Sequence, residues 1–312
     1  MIQPQALSVI NEVRKVIVGK DTVICKVMMA ILAQGHILLE DNPGMGKTTL
    51  ALALARAMGL QFNRVQFTPE VMPADVVGFS VYNQAKGDFE YRPGAAMCNL
   101  FLADEINRTS AKTQSALLEA MEEGQVTVDG VSYPLPQPYT VIATQNPLGS
   151  AGTQPLPESQ LDRFMMRLSI GYPDLEQEIK ILKQTAGGRP IDRVQTVCSA
   201  RDLQQMQAEA ACIHVSDELY QYVARLCAAT RERPMLRIGA SPRAGGALVR
   251  AAKASAWMAG RDYLIPGDIN LLFLNVMEHR IIPSPQAAVN GIDLRSILAE
   301  TLKSVPAPKL VR

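Results

Sequence analysis

The amino-acid sequence predicts an α/β fold in two parts: a parallel-sheet domain over residues 1–173 and a smaller, all-helical domain over residues 174–304. Within the first part, short apolar runs alternate with helical patterns, which is typical of parallel sheets whose strands are joined by helices. One apolar run leads through a glycine-rich loop directly into a helix, over residues 37–56. Beyond Pro173 the apolar runs give way to helical periodicity, which places the predicted boundary there.

The elements of the first part follow from periodicity and from signals at their ends. Helices are predicted over 4–17 and 21–34, strands near 36–39 and 62–67, a hairpin near 79–91, a helix over 110–123, a hairpin over 125–139 and a strand over 139–144. Gly124 stands where a glycine commonly ends a helix. Asp129-Gly130, between β-rich runs, is a strong signal for a two-residue hairpin turn.

The second part is predicted to contain helices only. Their approximate ranges are 175–186, 200–211, 216–230, 242–260 and 267–279. A break is expected between the first two of them, where two glycines precede Pro190. Residues 305–312 form a short tail that we expect to be extended, because two prolines interrupt it.

The composition argues against several classes of protein. The net charge is +1, and no block of five or six basic residues occurs, which argues against a strong electrostatic grip on nucleic acid. The five cysteines form no C-x-x-C pair and the three histidines lie far apart, so we expect reduced thiols and no structural metal site. No apolar stretch reaches the ~20 residues of a membrane span. We therefore expect a cytoplasmic protein.

The loop after the first predicted strand has the composition of a phosphate-binding site. It reads Asn42-Pro43-Gly44-Met45-Gly46-Lys47-Thr48-Thr49. Its two glycines let the backbone curve around a phosphate, so that successive N–H groups and the helix amino terminus point at its oxygens. Lys47 can reach the β- and γ-phosphates, and the Thr48 hydroxyl can bind Mg²⁺. A glycine-rich turn without a ligand is the alternative for this loop taken alone.

One position of the loop departs from the usual G-x-x-x-x-G-K-[ST] pattern, because Asp41 replaces its first glycine. A carboxylate at the mouth of an anion site repels phosphates. We therefore expect Asp41 to weaken nucleotide binding, although the rest of the loop is intact.

An acidic pair follows another predicted buried strand. Residues 99–105 read Asn-Leu-Phe-Leu-Ala-Asp-Glu and end in Asp104 and Glu105. Ligands of parallel sheets gather at the carboxyl ends of the strands, so we expect this pair beside the phosphate loop. Asp104 is then suited to hold Mg²⁺, directly or through water, and Glu105 to deprotonate an attacking water. Alone, such a pair is more often a solvated turn; the loop upstream favours the catalytic interpretation.

With these residues in place, the sequence resembles the MoxR family of AAA+ ATPases from about Val16 to Arg280. The phrases that carry the resemblance are Ala103-Asp-Glu-Ile-Asn-Arg108, Gln66-Phe-Thr-Pro, Ala143-Thr-Gln-Asn-Pro147, Leu156-Pro-Glu-Ser-Gln-Leu-Asp-Arg-Phe164 and Gly239-Ala-Ser-Pro-Arg243. The resemblance implies a P-loop AAA+ domain followed by a helical lid, with ATP or ADP and Mg²⁺ as ligands. It departs from the family pattern at Asp41 and at Arg92-Pro-Gly94.

The resemblance also implies roles for residues outside the loop and the acidic pair. Asn146 resembles the first sensor, an amide that can contact both the γ-phosphate and the attacking water; a turn-forming Asn before proline is its alternative. Arg243 resembles the second sensor, which reports the γ-phosphate to the lid; a solvated helix start is its alternative. Val18-Gly19 resembles the strip that lies against adenine.

An arginine finger is the remaining implied role. Arg163 resembles the finger that one subunit donates into its neighbour's site, where a guanidinium suits the charge on phosphoryl oxygens. A surface ion pair with Asp162 or Glu158 is its alternative, and Arg108 is the rival finger.

These residues lead to a functional expectation: a Mg²⁺-dependent ATPase that works as a ring, a hexamer by resemblance, and remodels a protein client. The resemblance further implies a separate partner with a von Willebrand factor A-type domain. The two predicted hairpins are insertions that face the pore or the substrate in relatives. A nucleotide-binding scaffold that barely hydrolyses is the alternative, which Asp41 favours. A DNA translocase or helicase is less consistent with the near-neutral charge.

Overall fold

The computed structural model describes residues 2–146 and 156–308. The first part of the chain contains, in order, helices α1 (Pro4–Arg14) and α2 (Asp21–Leu32), strand β1 (Ile37–Glu40), helix α3 (Lys47–Ala57), strand β2 (Phe62–Gln66), helix α4 (Pro73–Val77), strands β3 (Gly78–Asn83), β4 (Asp88–Pro93) and β5 (Leu100–Asp104), helix α5 (Ala111–Glu123), strands β6 (Gln125–Val128), β7 (Val131–Pro134) and β8 (Thr140–Gln145), helix α6 (Glu158–Leu161) and strand β9 (Met166–Leu168).

The second part continues with helices α7 (Leu175–Ala186), α8 (Ala200–Ala211) and α9 (Asp217–Arg231), strand β10 (Leu236–Ile238), helices α10 (Pro242–Met258) and α11 (Pro266–Met277), strand β11 (Ile282–Pro283) and helices α12 (Pro285–Val289) and α13 (Leu294–Ser304). Short 3-10 helices lie at Ile106–Arg108, Pro190–Arg193 and Glu278–Arg280.

A parallel sheet forms the centre of the first part, with the strand order β2-β5-β8-β1-β9. Because the strands are parallel, their carboxyl ends form one edge of the sheet and their amino ends the other; we refer to these as the carboxyl edge and the amino edge. Glu40 pairs with Gln145, and Gln66 pairs with Asp104, so these strands end level with one another. All five residues of β5 are buried, as expected of a strand covered on both faces.

The residues predicted to end a helix or to form a tight turn do so in the structure. Ser110 caps α5 by accepting a hydrogen bond from the backbone N–H of Thr113, and Gly124 ends the helix in the left-handed conformation. Asp129 and Gly130 both have positive φ, +50° and +79°, and form the two-residue turn between β6 and β7. A type I′ turn needs positive φ at both of its central positions, which this residue pair tolerates.

The second part differs from the prediction in two respects. It is not all-helical, because β10 and β11 form a small antiparallel sheet. The helices also continue beyond residue 279 with α12 and α13. Strands of two or three residues are too short to show a period of two. Helix α13 has a helical pattern through Leu294, Ile297 and Leu298 that the prediction left out.

The hydrophobic core does not stop at the predicted boundary. Helix α2 packs against α8 and α10 of the second part, and α1 packs against α3 of the first. The backbone N–H of Gln3 donates to the carbonyl of Met258 at 2.7 Å, and Gln207 donates to the carbonyl of Ile31 at 2.8 Å. The division of the chain at residue 173 therefore stays a prediction. In the described ranges, no helix combines the length and apolar character that a bilayer crossing requires.

Leu102 at the middle of β5 offers a test of how strongly the central sheet depends on its packing. Its side chain is fully buried two residues before Asp104. We expect Leu102→Ala to lower the free energy of unfolding by about 2–5 kcal/mol, because the lost methyl groups leave a cavity. Leu271→Ala, at a leucine that is 47% exposed on α11, is the matched control and should cost far less. Urea unfolding followed by circular dichroism measures both; equal losses would contradict the packing argument.

Candidate functional site

The candidate site is a cavity of about 800 Å³ at the carboxyl edge of the sheet. One side is lined by residues 16–18 and Lys20 before α2 and by the loop between β1 and α3 with the start of that helix. The other side is lined by the connection from β9 into α7, by α7 itself and by the segment after it up to Ile191. Val18 belongs to this lining, and Gly19 has a φ of +70°. A Cβ at Gly19 would lie 2.2 Å from the Gln177 side chain, so this strip passes close beneath α7. The predicted adenine strip and phosphate loop thus share one cavity.

The phosphate loop has the backbone that its sequence predicts. Gly44 and Gly46 both have a φ of +83°, a conformation that a residue with a Cβ rarely adopts. The Lys47 ammonium folds back and donates to the carbonyl oxygens of Asp41 and Asn42. Burial lowers the pKa of Lys47, and the neighbouring carboxylates of Asp41, Asp104 and Glu105 oppose that shift. The ammonium therefore lies in an acidic, partly dehydrated pocket at the start of α3.

Asp104 lies at the end of β5 with both of its oxygens engaged. One accepts from the Thr144 hydroxyl at 2.6 Å; the other accepts from Arg64 at 2.8 Å and lies 3.5 Å from the Thr48 hydroxyl. Mg²⁺ in phosphate-binding sites is typically bound by one or two carboxylates together with substrate oxygens and water. A carboxylate oxygen facing a threonine hydroxyl fits that pattern. Thr48 and Asp104 are therefore the residues that would hold the ion, with Arg64 competing for the same oxygen.

Glu105 is positioned for chemistry by an unusual backbone conformation. Its φ is +58°, and its backbone N–H donates to the Thr144 hydroxyl at 2.9 Å. One carboxylate oxygen accepts from the Asn146 amide at 3.1 Å and the other from Arg108 at 2.7 Å. The hydrogen bond from Arg108 is the main reason that the pKa of Glu105 is lowered. Glu105 is thus ionised, as a base must be, and is held by residues of its own chain.

Arg163 and Arg243 lie elsewhere, at the amino edge of the sheet. Arg163 precedes β9, and α5 runs back from β5 so that Glu122 near its end reaches the same place. The Glu122 carboxylate pairs with Arg163 at 3.1 Å and with Arg243 at 3.0 Å. Asp162 pairs with the buried Arg280 at 2.6 Å and lies 3.9 Å from Arg243.

This placement changes the expectation for Arg243. As the second sensor it should report on the phosphates, yet the structure holds it at the sheet edge opposite to the chain's own phosphate loop. Its role was assigned by the resemblance of residues 239–243, which does not reveal the edge of the sheet that the start of α10 reaches. Glu122, near the end of α5, pairs with both arginines.

The expectation for Asp41 is wrong about where its carboxylate points. The side chain is buried and turned towards the end of β9, where it accepts hydrogen bonds from the Ser169 hydroxyl and from the backbone N–H groups of Ile170 and Gly171. It does not stand at the mouth of the loop. A sequence match to the glycine position cannot show this, because the three donors lie 128 to 130 residues away.

Sequence reasoning missed two polar groups that organise the site. Arg64 on β2 neutralises Asp104, and Thr144 on β8 links Asp104 to the backbone of Glu105. Both lie on the strands that flank β5, so the strand order would have brought them to attention. Pro147, which follows Asn146, and residues 309–312 of the tail lie outside the described residues.

Comparisons with known proteins agree with this geometry. Residues 36–166 match the model of the ATPase family associated with various cellular activities, and residues 228–300 match an AAA lid domain. The protein YeaC of Bacillus subtilis is 44% identical over 98% of this chain and 96% of its own. Chaperone MoxR1 of Mycobacterium tuberculosis is 38% identical over 96% of this chain and 82% of its own. A crystal structure from Cytophaga hutchinsonii, described as a candidate ATPase, superposes with a TM-score of 0.90 at 41% identity, covering 98% and 95% of the two chains.

Thr144 provides a test of the site's internal support. Thr144→Val keeps the side-chain shape but leaves the Asp104 oxygen and the Glu105 N–H without their partner. We expect the free energy of unfolding to fall by about 1–3 kcal/mol, and ATP turnover to be lost because both acidic residues shift.

Thr230→Val is the matched control. Thr230 is also buried, donating to the carbonyl of Cys227 and accepting from the N–H of Ala240, but it lies in the second part of the chain. Urea unfolding should show comparable losses, and a turnover assay should separate the two variants. Full turnover by Thr144→Val would contradict the assigned role.

Proposed function

The chain belongs to the MoxR family of AAA+ ATPases, and we propose that it hydrolyses ATP to ADP and phosphate in a Mg²⁺-dependent reaction. One observation carries this proposal: the carboxyl edge brings together Lys47, the Thr48–Asp104 pair and the Glu105–Asn146 pair. Thr48 also lines the cavity described above, so this cluster borders it. Phosphoryl transfer needs little beyond positioning and charge neutralisation, and these groups supply both.

Each of these residues has a separate role in the proposed reaction. The N–H groups of the loop and Lys47 bind the phosphate oxygens, so Lys47 must exchange its carbonyl partners for phosphate. Thr48 and Asp104 would hold Mg²⁺, which supplies positive charge at the β- and γ-phosphates. Glu105 takes the proton of the attacking water, and Asn146 holds Glu105 in place while its amide contacts the γ-phosphate. The Glu105 carboxylate must release Arg108 before that oxygen can accept a proton from water.

Arg163 and Arg243 support a proposal about assembly. Because they lie at the edge opposite to the phosphate loop, they can serve a nucleotide only if it is bound by another subunit. Glu122 lies between the two guanidinium groups, so the pair already binds an anion at that point. We propose that a neighbour's γ-phosphate takes this place in a ring, with six subunits by resemblance. Arg108 is the weaker finger because it contacts Glu105 of its own chain.

We further propose that the ring is a chaperone-like remodelling motor for a protein client. A relative named as a chaperone supports this, since it is 38% identical over 96% of this chain. The hairpin β3–β4 adds a surface suited to contact a polypeptide, because Phe79, Tyr82 and Phe89 on it are all more than half exposed. A separate protein with a von Willebrand factor A-type domain is the proposed partner; co-purification with such a protein encoded next to this gene is the measurement.

A nucleotide-binding switch with little hydrolysis is the second candidate. The Arg108–Glu105 ion pair favours it, since a base that stays paired cannot accept a proton from water. The two candidates differ in turnover, which the following variants measure.

Lys47→Ala and Glu105→Gln test the hydrolysis proposal. We expect Lys47→Ala to abolish ATP binding, because the loop loses its one cation. Glu105→Gln should bind ATP normally and lose turnover by on the order of 10²-fold or more, the scale of general-base catalysis. Glu119→Gln, at an exposed glutamate on α5, is the control and should behave as wild type. Wild-type turnover by Glu105→Gln would show that another group is the base.

A mixing experiment tests the shared site. Arg163→Ala and Glu105→Gln should each be nearly inactive, since a finger arginine contributes ~10³-fold or more. Mixed rings contain interfaces that pair an intact Glu105 with an intact Arg163, so the mixture should regain turnover.

The matched control mixes Arg108→Ala with Glu105→Gln. Because those residues contact each other in one chain, both lesions lie in the same site, and this mixture should not exceed the sum of its components. Recovery in this mixture but not with Arg163→Ala, while light scattering shows mixed assemblies, would make Arg108 the finger.

A further inference from the structure

Asp41 makes a set of contacts that phosphate binding does not explain. Its carboxylate accepts from the Ser169 hydroxyl at 2.6 Å, from the N–H of Ile170 at 2.7 Å and from the N–H of Gly171 at 3.1 Å. The side chain is buried, with 7% of the residue exposed. Two of the donors are backbone groups, so the contact fixes the path of the chain there as well as one side chain.

The segment that Asp41 holds is a wall of the nucleotide cavity. Residues 170–173 line the cavity and lead from β9 into α7. Further contacts attach the same wall: Asn42 donates to the Tyr172 hydroxyl at 3.2 Å, and Lys20 donates to the Tyr172 carbonyl at 2.8 Å. Because Lys20 directly follows Val18-Gly19, the wall lies beside the strip assigned to adenine. It is therefore at the base and ribose end of the cavity.

Asp41 also contacts the other end of the site. Its backbone carbonyl accepts from the Lys47 ammonium, while its carboxylate holds the wall. One residue thus joins the lysine that binds phosphate to the wall that faces the nucleoside. A glycine at this position would leave the three donors of the wall without this acceptor.

We propose that Asp41 is a positioning residue that holds the wall of residues 170–173 against the nucleoside part of ATP and so sets the affinity for the base and ribose. It acts through the wall and has no direct contact with the phosphates. The proposal rests on the proposed function, because it takes ATP as the ligand of this cavity. It reverses the expectation from the sequence, in which Asp41 repels the phosphates.

The test compares ligands with and without a nucleoside. Asp41→Asn keeps the shape but offers one acceptor oxygen in place of two and no charge. It should bind ATP and ADP at least about tenfold more weakly, since hydrogen bonds to charged groups contribute this much. Tripolyphosphate, which has no nucleoside to meet the wall, should bind with unchanged affinity. Isothermal titration calorimetry gives all three constants, and the KM for ATP should rise while kcat at saturation stays near the wild-type value.

Two further variants make the test decisive. Asp268→Asn is the control for the loss of a buried carboxylate. Asp268 accepts from the Ser255 hydroxyl and from the N–H of Ile265 and also pairs with Arg261 at 2.7 Å, but it lies on α11. It should lose stability with no change in nucleotide affinity. Ser169→Ala removes one of the three contacts and leaves the two backbone donors in place, so it should weaken ATP binding by a smaller factor, about threefold. It decides the question if Asp41→Asn does not fold.

Three results would overturn the inference. The first is that Asp41→Asn or Ser169→Ala binds ATP as tightly as the wild type does. The second is that Asp41→Asn binds ATP more tightly. The third is that Asp41→Asn loses the same factor of affinity for ATP and for tripolyphosphate. Tighter binding of both ligands would instead show a repulsive Asp41. If the wild-type protein binds ATP no more tightly than tripolyphosphate, the proposed function itself fails. That outcome is distinguishable from a failure of the Asp41 proposal, because it is measured without any variant.

Discussion

The parallel pairing of β1, β5 and β8 is the constraint on which the site depends. Parallel strands with matched ends present their carboxyl termini along one edge, so residues far apart in sequence meet there without a dedicated scaffold. The Thr144 hydroxyl then joins two of these ends, since it donates to Asp104 and accepts from the N–H of Glu105. The acidic pair is therefore oriented by strand register, and a slip of one residue would turn its carboxylates to the wrong face.

The same constraint separates the site into two halves. Whatever precedes a strand is held at the amino edge, and this is where Arg163 and Arg243 lie with Glu122. A single chain therefore has its phosphate loop, proposed metal ligands and proposed base at one edge and two of its proposed catalytic arginines at the other. Assembly of several copies is the arrangement that brings the two edges together. In this view, Glu122 keeps the arginines in an anion-binding geometry until a phosphate replaces its carboxylate.

The comparison of sequence with structure shows which information is local. The loop, the acidic pair and the turn at Asp129-Gly130 were predictable, because backbone conformation and charge at those points follow from neighbouring residues. The fold class, the MoxR relationship and the order of the main helices and strands were also confirmed. Arg64, Thr144 and the side-chain direction of Asp41 were not predictable, since each depends on which strands are adjacent. The edge of the sheet at which Arg243 lies was not predictable either, because neither a resemblance nor the start of a helix reveals the edge that this start reaches.

Glu40, which ends β1, and Asp41, which follows it, connect the proposed nucleotide site to the second part of the chain. Both contact β9 or its continuation. Glu40 pairs with Arg167 at 3.0 Å; Arg167 pairs with Glu278 at 2.8 Å, and Glu278 pairs with Arg295 on α13 at 3.1 Å. Asp41 holds the segment that leads into α7. The strand that precedes the phosphate loop is thus connected to the second part of the chain by a series of ion pairs and by backbone hydrogen bonds. A displacement of the loop by phosphate would move or strain both connections. They would give the proposed motor a direct physical route from its nucleotide to the second part of the chain.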